Sequence, residues 1–388
     1  MPAISVIIPT YQRRELVRRA AASVLAQTCR DFELIVVDDG SNDGTGEALA
    51  GLDRRLRYVW QPNRGVAAAR NAGLRLACGP LVAFLDSDDR WLPCHLAVTR
   101  EALARHPAAV LASTCPHFQV AGRGHGRQAR LLDPVPLPFA ESLPGYPSGV
   151  VARREALFEV GGFDERLLVF EDRDLWQRLA VRGPFAIVQR RTIVRQNTRN
   201  SLRKRGSRRG YYLEAFELSA TRQLAELERM RQEGCGQLAA RAAASLAGAR
   251  ASVECVKALQ ALSRQDEDAA RAFLREACQL LPALSSEPGW FAKRIELAAS
   301  GRAERLAQLE AAAALWPDRR VDAALFLQAK AILAALSARR PRKAAKLLAG
   351  WPLPETLGFV SRTFPLWVGL ARRALDGNLH RGRETAAL

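Results

Sequence analysis

Acidic residues follow apolar runs or open a helical stretch at three places in this chain. Leu34-Ile35-Val36-Val37 runs into Asp38-Asp39, Phe84-Leu85 runs into Asp86-Ser87-Asp88-Asp89, and Glu171-Asp172 begins a segment with helical spacing. Three carboxylates crowded at positions 86, 88 and 89 repel one another, and a bound cation is the economical way to hold them together. Mg2+ or Mn2+ takes hard oxygen ligands of this kind and shares them with phosphates. The plainer alternative is a solvated turn, and for Asp38-Asp39-Gly40-Ser41 it is ordinary helix capping. Asp172, beside Glu171 at a helix start, is a candidate general base. The positive helix end is expected to lower its pKa and keep it ionised, although simple N-capping would use the same residue.

The elements that must position these residues alternate between strand and helix. Ile4–Pro9, Phe32–Val37, Leu56–Trp60 and Leu81–Leu85 are short apolar runs that read as strands. Leu16, Val17, Ala20, Ala21, Val24 and Leu25 fall at helical spacing, and Val66–Ala77 reads as a second helix after Gly65. Such alternation predicts an α/β fold, a mostly parallel sheet with helices on both faces. Ligands in these sheets bind outside the carboxyl ends of the strands, where both Asp clusters fall. Residues 115–150 are rich in Pro and Gly and read as a long excursion. A strand, a Gly161-Gly162 turn and a helix from about Asp172 to Ala180 follow.

The order of these segments resembles family 2 glycosyltransferases. Ile4-Ser5-Val6-Ile7-Ile8-Pro9-Thr10-Tyr11-Gln12 is similar to their opening strand, and Leu34 to Ser41 to their nucleotide motif. Asn63-Arg64-Gly65 with Arg70-Asn71-Ala72-Gly73 resembles the next signature, and Phe84 to Asp89 the D-x-D segment. Gly161-Gly162-Phe163-Asp164-Glu165 followed by Glu171-Asp172-Arg173-Asp174-Leu175-Trp176 resembles the acceptor-side motif. The resemblance covers about residues 3–195 and implies the Rossmann-like GT-A fold.

It also implies roles. Pro9, Thr10 and Tyr11 would line the nucleotide pocket, with Tyr11 stacked on the base. Asp39 would accept the N3–H of uracil, Asp38 would support the loop, and Arg70 would approach the diphosphate. Asp86 and Ser87 would contact the nucleotide sugar, and Asp88 would ligate Mn2+ or Mg2+. Asp89 would be an auxiliary ligand or a turn cap. Asp172 would be the base of a single inverting displacement, with Glu171 and Trp176 on the acceptor side; Trp176 could equally be core. The implied partners are a nucleoside-diphosphate sugar, UDP-linked, and a glycan or lipid-linked acceptor of bacterial surface polysaccharide or lipopolysaccharide. Gln196-Asn197-Thr198-Arg199-Asn200 lacks the tryptophan of the processive synthases' Q-x-x-R-W motif, which favours single addition.

The 388 residues suggest two domains, a catalytic one over 1–210 and an all-α one over 211–388. Leu281-Pro282, Trp316-Pro317 and Trp351-Pro352 recur at a fixed spacing, so helical hairpins of tetratricopeptide type from about residue 255 are one reading and a generic bundle the other. No apolar run reaches membrane-spanning length, and the start of the chain reads as a strand, not a signal peptide. Seven scattered cysteines without a C-x-x-C argue against a disulfide framework or zinc site and fit a reducing cytoplasm.

The formal charge is +18 and uneven: residues 1–200 carry 27 basic and 21 acidic groups, the remainder 31 and 19. This excess favours a polyanionic partner. Between Arg190 and Arg209 lie nine basic residues with no acidic and no aromatic residue among them. The missing aromatics argue against nucleic acid, and the segment is expected to dock the enzyme on an anionic inner-membrane surface or acceptor, a solvated linker being the alternative. A non-catalytic nucleotide-sugar-binding protein on the same fold would be expected to lose Asp88 or Asp172, and both are present.

Overall fold

The computed structural model describes residues 1–114, 129–132, 146–196, 211–234, 236–282, 307–309, 311, 312 and 315. The chain divides into two compact units, Met1–Val256 and Lys257–Leu388.

The first unit opens with β1 (Ile4–Thr10), α1 (Arg14–Leu25), β2 (Phe32–Asp38), α2 (Thr45–Leu49), β3 (Leu56–Trp60), α3 (Val66–Leu76) and β4 (Leu81–Phe84). It continues with β5 (Arg90–Trp91), α4 (His95–Arg105), β6 (Leu111–Ser113), β7 (Ala129–Leu132), β8 (Val150–Arg153), α5 (Arg154–Glu159), α6 (Glu171–Arg182), β9 (Phe185–Val188) and β10 (Ile193–Val194). Then come α7 (Tyr211–Glu233) and α8 (Gly236–Ser263), the latter running past the unit boundary. An eight-stranded sheet has the order β3-β2-β1-β4-β8-β6-β9-β7, and β5 pairs with β10 in a small ribbon.

β1 is buried along its whole length, as a central strand of an α/β sheet must be. It runs parallel to β2 from Ile4↔Phe32 to Thr10↔Asp38, and parallel to β4 from Ile4↔Leu81 to Ile7↔Phe84. The two-residue period of a strand divides its side chains between two cores. Ile7, Ile35, Val37 and Phe84 pack with Leu74 of α3, Trp176 of α6, and Leu227 and Met230 of α7. Ile4, Val6, Ile8 and Leu34 pack with Val17 and Ala21 of α1 and Leu96 of α4. α3 approaches β1 so closely that a Cβ at Gly73 would lie 2.5 Å from Ile7 Cγ2.

The sheet is mostly parallel, as expected, and mixed on one side. β8 is antiparallel to both β4 and β6, and β7 is antiparallel to β9. β6 and β8, on either side of residues 114–149, run in opposite directions. The start of β8 therefore lies beside the end of β4, in register Ala83↔Val151.

In the second unit, α9 (Glu267–Leu280) is capped by Asp266, whose carboxylate accepts the Ala269 amide at 3.0 Å. It buries Ala270, Leu274 and Ala277, one helical stripe. Of the three prolines that suggested hairpin repeats, only Pro282 is among the described residues; Trp316-Pro317 and Trp351-Pro352 lie outside them. The same holds for the basic positions from 199 to 209. No helix among the described residues is long and apolar enough to cross a membrane. Among the described residues, Cys29, Cys78 and Cys94 form no disulfide.

Candidate active site

The carboxyl ends of β1, β2 and β4 gather the first two acidic clusters. Asp38 closes β2 fully buried, accepting the Ser41 amide at 2.9 Å and the Tyr58 hydroxyl at 2.7 Å. Burial and this carboxylate push the Tyr58 phenol up, so it remains a donor. Asp39 holds the loop ahead of α3: Oδ1 accepts from Gln61 Nε2 (2.8 Å) and the Arg64 amide (2.9 Å), and Oδ2 from the Gly65 amide (2.8 Å). Neither Asp caps α2, whose N-cap position is Gly44. Gly40, between the two loops, has φ 93°, and a Cβ there would lie 2.9 Å from the Asn63 backbone nitrogen, so glycine is required. Thr10 is buried, its hydroxyl without a hydrogen-bond partner, while Tyr11 stands exposed.

The loop after β4 is held from two sides. Ser148, just ahead of β8, accepts the Asp86 amide at 3.1 Å and donates to Asp89 Oδ2 at 2.7 Å. Asp89 is thus buried inside the loop, where burial and its acidic neighbours push its pKa up to about 6. Trp91 Nε1 donates to the Ser148 carbonyl, fixing the same turn to β5. On the open side, Arg13 reaches Asp88 at 3.0 Å and Ser87 Oγ at 3.4 Å.

The donor set is consistent with a hard divalent cation shared with a ligand. Asp88 and Asp86 keep 16% and 30% of their side-chain surface exposed, and Mg2+-type sites use one or two carboxylates completed by phosphate and water. No group of three or more His, Cys, Asp or Glu side chains converges among the described residues, so no all-protein cage forms there.

Arg70 joins the loop after β4 to the start of α6. Its guanidinium is buried and donates to Asp86 Oδ1 and to Glu171 Oε1, each at 2.7 Å. An Arg fork suits two carboxylates in this way. Arg70 thus bridges two carboxylates, one after β4 and one at the start of α6. Glu171 is committed to that bridge. Asp172, the next residue, is half-buried, accepts the Arg173 amide at 2.7 Å and makes no ion pair among the described residues.

The expected lowering of the Asp172 pKa is overturned. Burial, reinforced by the charge of Glu171, pushes it up to about 7, against the opposing pull of Arg70 and Arg173. Desolvation here outweighs the partial charge of a helix end, which carries two further acidic groups, Glu171 and Asp174, in the same turn. Trp176 is also corrected. It is fully buried against Phe163, ring centroids 6.5 Å apart, and belongs to the core and not to an acceptor pocket.

The turn before α6 is locked by Asn71 and Asp174, which the motifs contain without an assigned role, and by Arg178 and Ser219, which lie outside them. Asn71 accepts the Phe163 amide and donates to the Phe163 carbonyl, each at 2.9 Å, and also reaches Glu165. Buried Arg178 donates to the Val160 and Gly162 carbonyls and pairs with Asp174, which accepts Ser219 of α7. Phe170, immediately before α6, has φ 72° and packs edge-on against Phe216 of α7. Arg13 and Ser148 carried no signal of their own, because their partners are 74 and 59 residues away.

Residues 5–162 match glycosyl transferase family 2. The chain is 44% identical over 115 residues to the succinoglycan biosynthesis protein ExoW of Rhizobium meliloti, covering 28% of this chain and 36% of that one. It is 31% identical over 218 residues to an uncharacterized protein of Mycobacterium tuberculosis, covering 51% of this chain and 68% of the other. The matched segments span 15% to 36% of the length of the curated relatives ranked first. Among solved structures, S. aureus TarS 1-349 in complex with UDP-GlcNAc superposes with a TM-score of 0.52 at 20% identity, over 79% of this chain and 90% of that one, a likeness of fold. With the motifs in order, the sheet built around them and residues 5–162 matched to the family, this chain belongs to the family 2 glycosyltransferases.

Proposed function

We propose that the chain moves a sugar from a nucleoside-diphosphate sugar, UDP-linked, to a hydroxyl of a glycan or lipid-linked acceptor, with inversion. The observation that carries this reading is the Arg70 bridge, 2.7 Å to Asp86 and 2.7 Å to Glu171. It ties the donor loop to the first turn of α6 and sets Asp172 at the junction. Tyr11, exposed at the end of β1, offers its ring to the base. Asp39 Oδ2 accepts one amide and keeps an acceptor position for the imide N–H of uracil. Asp88, with Asp86 beside it, would hold Mn2+ or Mg2+, which when bound neutralises the leaving diphosphate. Asp172 takes the proton of the acceptor hydroxyl, and a pKa near 7 suits a group that must hold and release a proton near neutral pH.

The polysaccharide context is supported by the name of ExoW, and a uridine donor by the ligand of the TarS structure. A cytoplasmic enzyme at the inner face of the bacterial inner membrane fits both. The test is a screen of UDP-, GDP- and TDP-sugars for acceptor-dependent release of nucleoside diphosphate, with Mn2+ and with EDTA. Release from a UDP-sugar that EDTA abolishes is the expected result. Release unaffected by EDTA rejects the metal, and preference for another base rejects the uridine assignment.

A further inference from the structure

Arg13 occupies the charge that the proposed metal ligand would offer. Its guanidinium lies 3.0 Å from Asp88 Oδ2, with the two side chains 24% and 16% exposed. The backbone around it is fixed. Gln12 has φ 52°, an unfavourable conformation for a residue with a Cβ. Its amide donates to Ser41 Oγ at 2.8 Å and its side chain to Asn42 Oδ1 at 2.6 Å. The Arg14 amide donates to Asp43 Oδ2 at 3.0 Å. Residues on both sides of Arg13 are thus pinned to the loop after β2, and its side chain is directed across the site to the loop after β4.

We propose that Arg13 is a built-in counter-cation that makes divalent-cation binding depend on the nucleotide. The inference rests on the reading of Asp88 as the metal ligand. While the donor is absent, Arg13 neutralises Asp88. A dication arriving alone must displace a guanidinium from the same carboxylate and then sit beside it, two like charges at short range. A diphosphate arriving with the cation removes that penalty. The released guanidinium exchanges one carboxylate for phosphate oxygens, which it binds with the same planar fork. Asp88 passes to the cation. The nucleotide therefore raises cation affinity, and by linkage the cation raises nucleotide affinity by the same factor.

The experiment measures free Mn2+ by electron paramagnetic resonance during titration of the full chain, without nucleotide and with saturating UDP or, in parallel, GDP. Wild type, Arg13→Gln, Arg13→Met and Asp88→Asn are compared, and circular dichroism checks the fold of each. Wild type is expected to bind Mn2+ weakly alone and at least about tenfold more tightly with the nucleotide, a common coupling size. Both Arg13 variants should bind Mn2+ alone about tenfold more tightly than wild type and bind UDP alone more weakly, so that the coupling factor falls toward one. Met keeps the aliphatic stem, so loss of folding in the Gln variant still leaves a decisive protein. Wild-type Mn2+ affinity and coupling in either folded variant overturns the proposal while leaving Asp88 its role. A wild type that binds UDP but shows no nucleotide-dependent Mn2+ binding, with Asp88→Asn behaving identically, overturns the metal reading beneath it.

Discussion

Asp172 is the residue whose environment makes the sharpest demand. Its carboxyl has moved from the ordinary 3.8 to about 7 because it is desolvated beside Glu171. A general base acts in its deprotonated form, so turnover is expected to fall about tenfold per pH unit below roughly 7 and to level off above it. Asp172→Asn keeps the size but cannot take the proton. Turnover should drop by at least about 100-fold while nucleotide binding, read by calorimetry, stays near wild type. The same shift has a stability signature of opposite sense to the usual salt-bridged carboxylate. Between about pH 4 and pH 7 the folded protein binds this proton and the unfolded chain does not, so the contribution of Asp172 to stability declines as pH rises through that window. Asp172→Asn should flatten that decline, and thermal melts at pH 5 and pH 8 check it. A variant with full turnover would move the base elsewhere.

At the scale of elements, two contacts decide whether the site is assembled. α3 carries Arg70 and Asn71, and it can approach β1 only because position 73 has no side chain to meet Ile7. Gly73→Ala, with its Cβ 2.5 Å from Ile7 Cγ2, is expected to destabilise the protein by about 1–3 kcal/mol, the usual cost of overpacking. A urea midpoint lowered with unchanged slope would show it, and an unchanged midpoint would mean that α3 can shift without cost. The reversal of β8 is the second contact. It delivers Ser148 to the Asp86 amide and the Asp89 carboxylate. The strands before these clusters were legible in sequence because burial on both faces leaves a continuous apolar run. The reversal was not, because local pattern carries neither the direction nor the register of strand pairing. For the same reason Arg13 and Ser148 went unmarked while Asp88 and Asp172 stood out in local motifs. Trp176 was ambiguous on its own, since a buried aromatic and a pocket aromatic share the same helical spacing. The Asp172 shift was misread because a helix end is visible in sequence and desolvation is not.

For the whole molecule, the net charge of +18 is concentrated beyond residue 200, and the run from Arg190 to Arg209 is its densest part. Its described members include Arg195, whose guanidinium stacks 3.6 Å from the centroid of the Tyr146 ring. Each basic group near an anionic bilayer contributes about 1 kcal/mol, weakened by salt. Replacing Arg203, Lys204, Arg205, Arg208 and Arg209 with Gln should therefore abolish salt-sensitive sedimentation with anionic vesicles and leave nucleotide binding unchanged. Equal sedimentation of both proteins with neutral and anionic vesicles would assign the charge to solubility alone.

The Arg70 bridge also bears on how the molecule is made. Arg70 and Glu171 are 101 residues apart, as are Arg64 and Glu165, and the Asn71 clamp on Phe163 closes a span of 92. Contacts this distant cost loop-closure entropy early and are rewarded only once the chain between them is ordered, which is why such topologies fold slowly. No short fragment holds the site, and no partly ordered chain that lacks α6 can carry it. During refolding from urea, recovery of nucleotide binding should coincide with the slowest phase of tryptophan fluorescence and have no earlier component. An early-binding species would mean that the loops after β1 and β2 recognise the nucleotide before the far half of the sheet has closed.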